Sequence, residues 1–472
     1  MTVLVSPVMP DSLAGAIPLS IEWERNYSYG LFRTACCASG GGYVLGADAY
    51  ENFGDFGIVR INGAGEKVWQ ANFGGGDAEQ LFAVAEMPDG GFLLGGHSIS
   101  KPGPGKDAPR INSHFNEDAW VVKTDAQGRK LWDRAYGSEV YGFVKGIVAL
   151  PDGSAVLGGS SKSDYWFQKI DGAGNSLWEA TYGGSWLEML HTMTLTTNGG
   201  LFAVGMSESG KDGQKTAAPF GLSDGWVVLL DAAGNKLWDR AFGGTDDDYL
   251  FAIQPLASNA CIIAGASESP ISGNKEAPAF GRRDAWVIRL SPGGEKLWEK
   301  TFGGEGEDGI DSIELMDDGG FLLAGGTSSQ EFTGLGVAKW APWILRLDGD
   351  GNLLWEIRLK RTGFEWTPYL SLKPDGSFFV AGTSNGLWAL SFAPERVIEA
   401  EGFLWVKPRY VHPVDPAGTF HLSGPKGSRW AVESSTDLAN WSNALNLTVT
   451  EFTTQFTDSA PTEKKFFRVK VQ

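Results

Sequence analysis

Carboxylates and tryptophans recur in this sequence at spacings that could support chemistry. Glu79, Glu188, Asp248, Asp308 and Glu365 each stand about ten residues ahead of a turn, such as MPDGG or TTNGG. A pair of carboxyl groups about 5 to 9.5 Å apart can cleave a glycosidic bond by acid–base or nucleophilic catalysis. A lone carboxylate can hold a cation, take sugar hydroxyls, or accept backbone N–H groups and so tie one segment to the next. Trp186 lies two residues before Glu188, Trp366 directly follows Glu365, and Trp340 ends a long insertion. A rigid indole offers a flat apolar platform for a sugar ring or a partner's side chain, with little entropy to lose. Glu188 and Glu365 form the pair a glycan-active enzyme would use. With Trp186, Trp340 and Trp366 they also form a ligand-contact set.

Other site chemistries have weaker support in the residues. His97, His114 and His191 stand far apart with no HxH or HExxH spacing, so no zinc centre is expected. No Cys/His signature suggests a covalent nucleophile. Cys36 and Cys37 are neighbours that would point to opposite faces of a strand, and Cys261 stands apart, which suits buried thiols better than a disulfide framework. The turn DGDGN at 348–352 resembles a calcium loop, but its sixth and twelfth positions are Leu353 and Leu359 where Gly and a bidentate Glu are needed. The FGG segments lack GK[ST] and a following helix, so they are not phosphate loops. No cofactor is expected, although a structural or channel cation is compatible with the acids.

Charge and hydropathy narrow the partners. The net charge is −18, while residues 401–472 hold eight Lys/Arg against seven Asp/Glu, so the acidity resides in the first 400 residues. That surface repels a phosphate backbone, and nucleic acid is not an expected partner. No apolar run reaches the length of a membrane-spanning helix. The N-terminal MTVLVSPVMPDSLAGAIPL lacks the basic start and continuous apolar stretch of a signal peptide.

The elements that must position these residues are legible as a repeat. Trp23, Trp69, Trp132, Trp178, Trp238, Trp298 and Trp355 align in segments of KLWD type. A second column reads GYVLGA, GFLLGG, SAVLGG, LFAVGM, CIIAGA, FLLAGG and SFFVAG. A third reads DFGIVRI, DAWVVKT, DYWFQKI, DGWVVLL, DAWVIRL, APWILRL and NGLWALS. Each unit holds four short β-type segments cut by PDGG, NGG or DxxGN turns, which is what one propeller blade requires. The fold class predicted is all-β, a seven-bladed β-propeller over 20–393, with strands A to D running from axis to rim. The last blade lacks an outer strand and residues 20–30 supply one without a blade, so Ile21–Tyr27 is expected beside Leu387–Phe392, closing the ring without an open edge. Residues 1–19 form an N-terminal extension and 394–402 a linker. Residues 403–472 read as a small C-terminal β-sandwich of fibronectin or immunoglobulin type, without paired cysteines. Tryptophans of the KLWD column and Trp120, Trp166, Trp226, Trp286, Trp343 and Trp388 of the third column are expected to pack between blades.

Units such as SESPISGNKEAPAFGRRDAWVIRLSPGGEKLWEKTFGGEGED resemble the tandem propeller repeats of bacterial secreted or surface proteins. VESSTDLANW and FFRV resemble a β module that ends such chains. Blades 1, 3 and 7 depart from the pattern by lacking the SGNK-like insertion. The resemblance implies an exported protein and an architecture without a reaction. In a propeller, B–C and D–A connections share one face. Long B–C insertions fall in blade 2 (98–118), blade 4 (208–224), blade 5 (268–284) and blade 6 (328–341), and loops this long tend to be functional. Trp186, Trp340 and Trp366 map to that face, and Glu79, Asp248 and Asp308 become candidate channel-mouth acids, either cation-binding or locking the blades. The function expected is a non-catalytic extracellular binding protein that offers this face to a glycan or protein partner. A glycan-active enzyme and a purely structural surface repeat protein are the alternatives.

Overall fold

A computed structural model describes residues 21–49, 54–111, 117–137, 142–329, 340–359, 369–384, 386–393 and the strands 419–423, 429–435, 442–448, 453–457 and 466–471. The chain divides into two compact units, 1–395 and 396–472. The first holds seven four-stranded antiparallel sheets, the blades of a β-propeller. Blade 4 shows the plan, with strands A Glu188–Leu195, B Leu201–Ser207, C Asp224–Leu230 and D Lys236–Phe242 hydrogen-bonded in that order. Strands A of blades 1, 2, 3, 5 and 6 are Gly30–Cys37, Glu79–Glu86, Gly142–Ala149, Asp248–Pro255 and Asp308–Leu315.

Burial across a blade explains the sequence columns. Strands B and C of blade 4 are buried at every position, because neighbouring blades cover both faces, and they read as unbroken apolar runs. Strand A mixes buried and half-buried residues, whereas strand D is open at its start, where Leu237 is exposed, and buried at its end. The strand C tryptophans Trp120, Trp166, Trp226, Trp286, Trp343 and Trp388 are all 2% exposed or less. Five donate their indole N–H to a strand D acid thirteen residues on, namely Asp133, Glu179, Asp239, Glu299 and Glu356. The bond satisfies the one polar atom that burying an indole would otherwise orphan. In blade 1 Gly57 stands at the equivalent position, and the Tyr29 ring fills the space a side chain there would take.

Blades are stapled by the other tryptophan column. Trp69, Trp132, Trp178, Trp238 and Trp298 lie over glycines in the C–D turn of the next blade, Gly128, Gly174, Gly234, Gly294 and Gly351. Each of these glycines has φ between +76° and +87°, a conformation that glycine adopts without strain. A Cβ at Gly234 would lie 2.9 Å from the Trp178 ring, so the turn needs glycine for contact as well as for backbone geometry.

Blade 7 comprises Tyr369–Leu372, Phe378–Ser384 and Gly386–Phe392, with Ile21–Tyr27 as its outer strand. The register runs from Ile21 opposite Phe392 to Tyr27 opposite Leu387, as the repeat arithmetic requires. Glu24 pairs with Leu390, the register position that the strand D acid holds in the other blades. In the second unit, Thr419–Ser423 pairs with Thr453–Thr457, and Arg429–Ser435 lies between Ser442–Thr448 and Phe466–Val471. These make one two-stranded and one three-stranded antiparallel sheet. The segment FLWVKPRYV falls outside the described residues.

Candidate functional site

The recurring acids are turned inward. Glu79, Glu188, Asp248 and Asp308 are each 0% exposed. Their carboxylates accept the backbone N–H of Gly75, Gly184, Gly244 and Gly304 at 2.8 to 3.1 Å. They also accept the hydroxyls of Ser98, Ser207, Ser269 and Ser329 at 2.7 or 2.8 Å. Each acid thus fastens the D–A connection that joins one blade to the next. Of the two roles these acids could have, cation binding and locking of the blades, their burial and hydrogen bonds are those of a lock. Glu365 and Trp366 lie outside the described residues.

A second carboxylate approaches each latch from the blade before. Oxygens of Asp164 and Glu188 flank Gly183, those of Asp224 and Asp248 flank Gly243, and those of Asp284 and Asp308 flank Gly303, where a Cβ would collide with both. That crowding explains the glycine after Phe or Tyr in every FGG or YGG. Burial raises Asp224, Asp248, Asp284 and Asp308 above the usual carboxylate range. Asp164 is pushed up to about 6 by burial and by the facing Glu188.

The SGNK-type insertions are folded down onto these latches. Lys106, Lys215 and Lys275 are at most 1% exposed, and each ammonium donates to a carbonyl at the start of its own insertion, on Ser100, Ser209 or Ser269, at 2.7 or 2.8 Å. Burial lowers all three lysines, against the pull of the acids around them. Phe220 and Phe280 donate their N–H to Asp224 and Asp284 at 2.7 Å. Much of the insertion's length is therefore scaffold, but its tips project. Trp186, Phe220, Leu222, Ile271 and Phe280 are 66%, 37%, 64%, 64% and 47% exposed. All sit on D–A or B–C connections around blades 4 and 5.

These tips belong to one rim. Trp186 and Ser185 donate backbone N–H groups to Ser209 and Asp212 of the blade 4 insertion. Phe220 abuts Gly273 of the blade 5 insertion, whose Ser272 accepts from Thr245 N–H. Trp340 is set differently. It is half-buried, wedged against Gly326 and covered by the Arg283 guanidinium 5.6 Å from its ring. It lines a cavity of about 20 Å³ with Phe251, Ala266, Arg283, Gly309, Asp311 and Gly326, room for one water. Burial raises the Asp311 carboxyl to about 7, opposed by Arg283.

A cluster on the inner strands is carried by no single segment of the sequence. In blades 1 to 6 strand A carries a bulge at its fourth residue: Arg33, Phe82, Lys145, His191, Phe251 and Asp311. A bulge re-aims the extra residue and bends the strand. The bulge brings a strand A carbonyl so close to Gly96, Gly159, Gly205, Gly265 and Gly325 of strand B that a Cβ would collide with it, which explains the glycine of the LGG column. Lys145 lies 3.6 Å from the centre of the Phe82 ring. Arg33 pairs with Asp48 at 2.6 Å. Phe82 meets His97 edge-on, and His191 packs on Phe251. His97 and His191 are lowered to about 4, chiefly by burial and then by the nearby cations and, for His191, against a bond to the Leu250 carbonyl.

No family model and no curated protein matches the chain. Among solved structures it is similar to the Neurospora crassa Pan2 WD40 domain, at 11% identity and TM-score 0.47, over 83% of this chain and 93% of that one. It is also similar to YCF48 bound to D1 peptide, at 11% identity and TM-score 0.46, over 81% and 99%. A third is Drosophila Plexin A in complex with Semaphorin 1b, at 10% identity and TM-score 0.45, over 80% and 88%.

Proposed function

We propose that this chain is a non-catalytic extracellular binding protein that docks a protein partner on the rim formed by the blade 4 and blade 5 connections. The observation that carries the reading is the exposure of Trp186, Phe220, Leu222, Ile271 and Phe280 on neighbouring loops held rigid from below. Large apolar side chains exposed on neighbouring connections suit an interaction site, and anchoring loops in advance lowers the entropy lost on binding. The polar C–D turns, such as Asp231–Asn235, have their side-chain oxygens occupied within the turn, so they offer less to a partner. Localisation outside the cell rests on the resemblance of the repeats to exported proteins.

A glycan partner is the second reading, favoured by the Trp186 indole standing free beside Ser185 and Asp212. Catalysis through Glu188 has no support in its geometry, since the carboxylate is buried and both oxygens accept hydrogen bonds. A glycan array, run in parallel with cross-linking to secreted and surface proteins, separates the two partners. Loss of either signal in Trp186→Ala supports the rim. Capture unaffected by Trp186→Ala and by Leu222→Asp refutes it.

A further inference from the structure

We propose that the axial lumen at the level of Lys145 and Arg33 is an oxyanion site, taking one carboxylate or phosphate group. The bulges supply the first argument. Six successive inner strands carry a bulge at their fourth residue, which is Arg33 in blade 1, Lys145 in blade 3 and His191 in blade 4, while blade 6 holds the one acid of the set, Asp311. Blade 2 adds His97 from strand B.

Charge supplies the second. The groups acting on Lys145 are Arg33 and Asp48 from blade 1, while Lys145 in turn acts on His97 of blade 2 and His191 of blade 4. Asp48 is already committed, with one oxygen on Arg33 at 2.6 Å and the other on the Leu81 N–H at 3.1 Å. Among the described ion pairs none includes Lys145, which rests over Phe82. Burial and then Arg33 lower its ammonium to about 8, against the pull of Asp48, so it remains largely charged at neutral pH. An arriving oxyanion would pair with the Lys145 ammonium, the cation of this cluster without an ion pair among those described, with Arg33 and its Asp48 partner beside it.

This site is separate from the apolar rim, so either can fail alone. The test is calorimetric titration of the intact protein with inorganic phosphate at low ionic strength and pH 7. Saturable one-to-one binding is expected, weakened by about tenfold or more in Lys145→Met and retained in Lys145→Arg, as loss of a charge-assisted bond requires. Affinity should fall as pH rises through about 8, where Lys145 loses its proton. Arg33→Gln provides a second variant should Lys145→Met fail to fold, and it too should weaken binding. A blocked glutamate tripeptide forms the other arm. Competition with phosphate assigns the oxyanion to a partner's acidic side chain, and phosphate binding alone assigns it to a free ion. Absence of saturable phosphate binding, or affinity unchanged in both variants, overturns the proposal.

Discussion

The indole of Trp23 covers Gly65, and its Nε1–H donates to the Gly63 carbonyl at 2.9 Å. Trp23 belongs to the strand that completes blade 7, and Gly65 to the C–D turn of blade 1. The staple that joins blades 1 to 6 in succession is thus repeated at the seam where the two ends of the ring meet. Trp23→Ala removes a half-buried indole and should cost about 2 to 3 kcal/mol, at the low end for a tryptophan truncation. Deleting 21–27 should do more, exposing the Gly386–Phe392 edge and producing soluble oligomers by light scattering.

Asp239 is expected to govern acid stability in blade 4. It accepts from Ala217 N–H at 2.8 Å, Thr216 N–H at 2.9 Å, Lys236 at 2.8 Å and Trp226 Nε1 at 3.2 Å. Burial alone would raise its carboxyl, but these partners outweigh burial and hold it at about 2. The folded value lies below the unfolded one, so its contribution is present above about 3.8 and is lost as pH falls through about 2. Asp239→Ala leaves several buried donors unpaired and should cost about 3 kcal/mol at pH 7. The gap in chemical-denaturation midpoint from wild type should narrow as pH falls towards 2.

Asp164 should behave with the opposite sign. Its folded value of about 6 lies above the unfolded one, so the stabilisation is full below about 3.8 and is lost as pH rises through about 6. Asp164→Asn, which cannot ionise against Glu188, should gain in melting temperature relative to wild type between pH 4 and pH 7. A difference that stays constant across that range contradicts the paired arrangement.

Gly265→Ala tests the bulge. The added methyl meets the Tyr249 carbonyl, so strand A must shift, at a cost of about 3 kcal/mol, the upper end for overpacking. The same change at Gly199, where nothing lies within 4 Å, meets no steric clash, and only its φ of +80° opposes it. Denaturant midpoints of the two variants make the comparison.

Much of the fold was legible because its repeats are contacts as well as patterns. The KLWD tryptophan and the turn glycine recur together since one packs on the other, and the ring's closure followed from counting strands. The acids were harder. Spacing places Glu188 and Asp248 at the entry to strand A, but a carboxylate turned under an FGG segment and one turned to solvent have the same sequence. The apolar insertion tips Leu222 and Ile271 carry no mark of their own in the sequence, because hydrophobicity within an insertion gives no sign of which residues are held outward. The meeting of Arg33, His97 and Lys145 depends on blades 1 to 3 sharing an axis, and no single segment carries that information.

The central claim is that the rim of blades 4 and 5 is the docking surface. Its most direct test is surface plasmon resonance against the protein partner recovered by cross-linking, comparing wild type, Leu222→Asp, Ile271→Asp and, on a C–D turn, Ala233→Asp. The rim variants should weaken binding by about tenfold or more, in line with a buried charge at an interface hot spot, while Ala233→Asp leaves affinity unchanged. Equal affinity for all four proteins, or loss confined to Ala233→Asp, would contradict the claim.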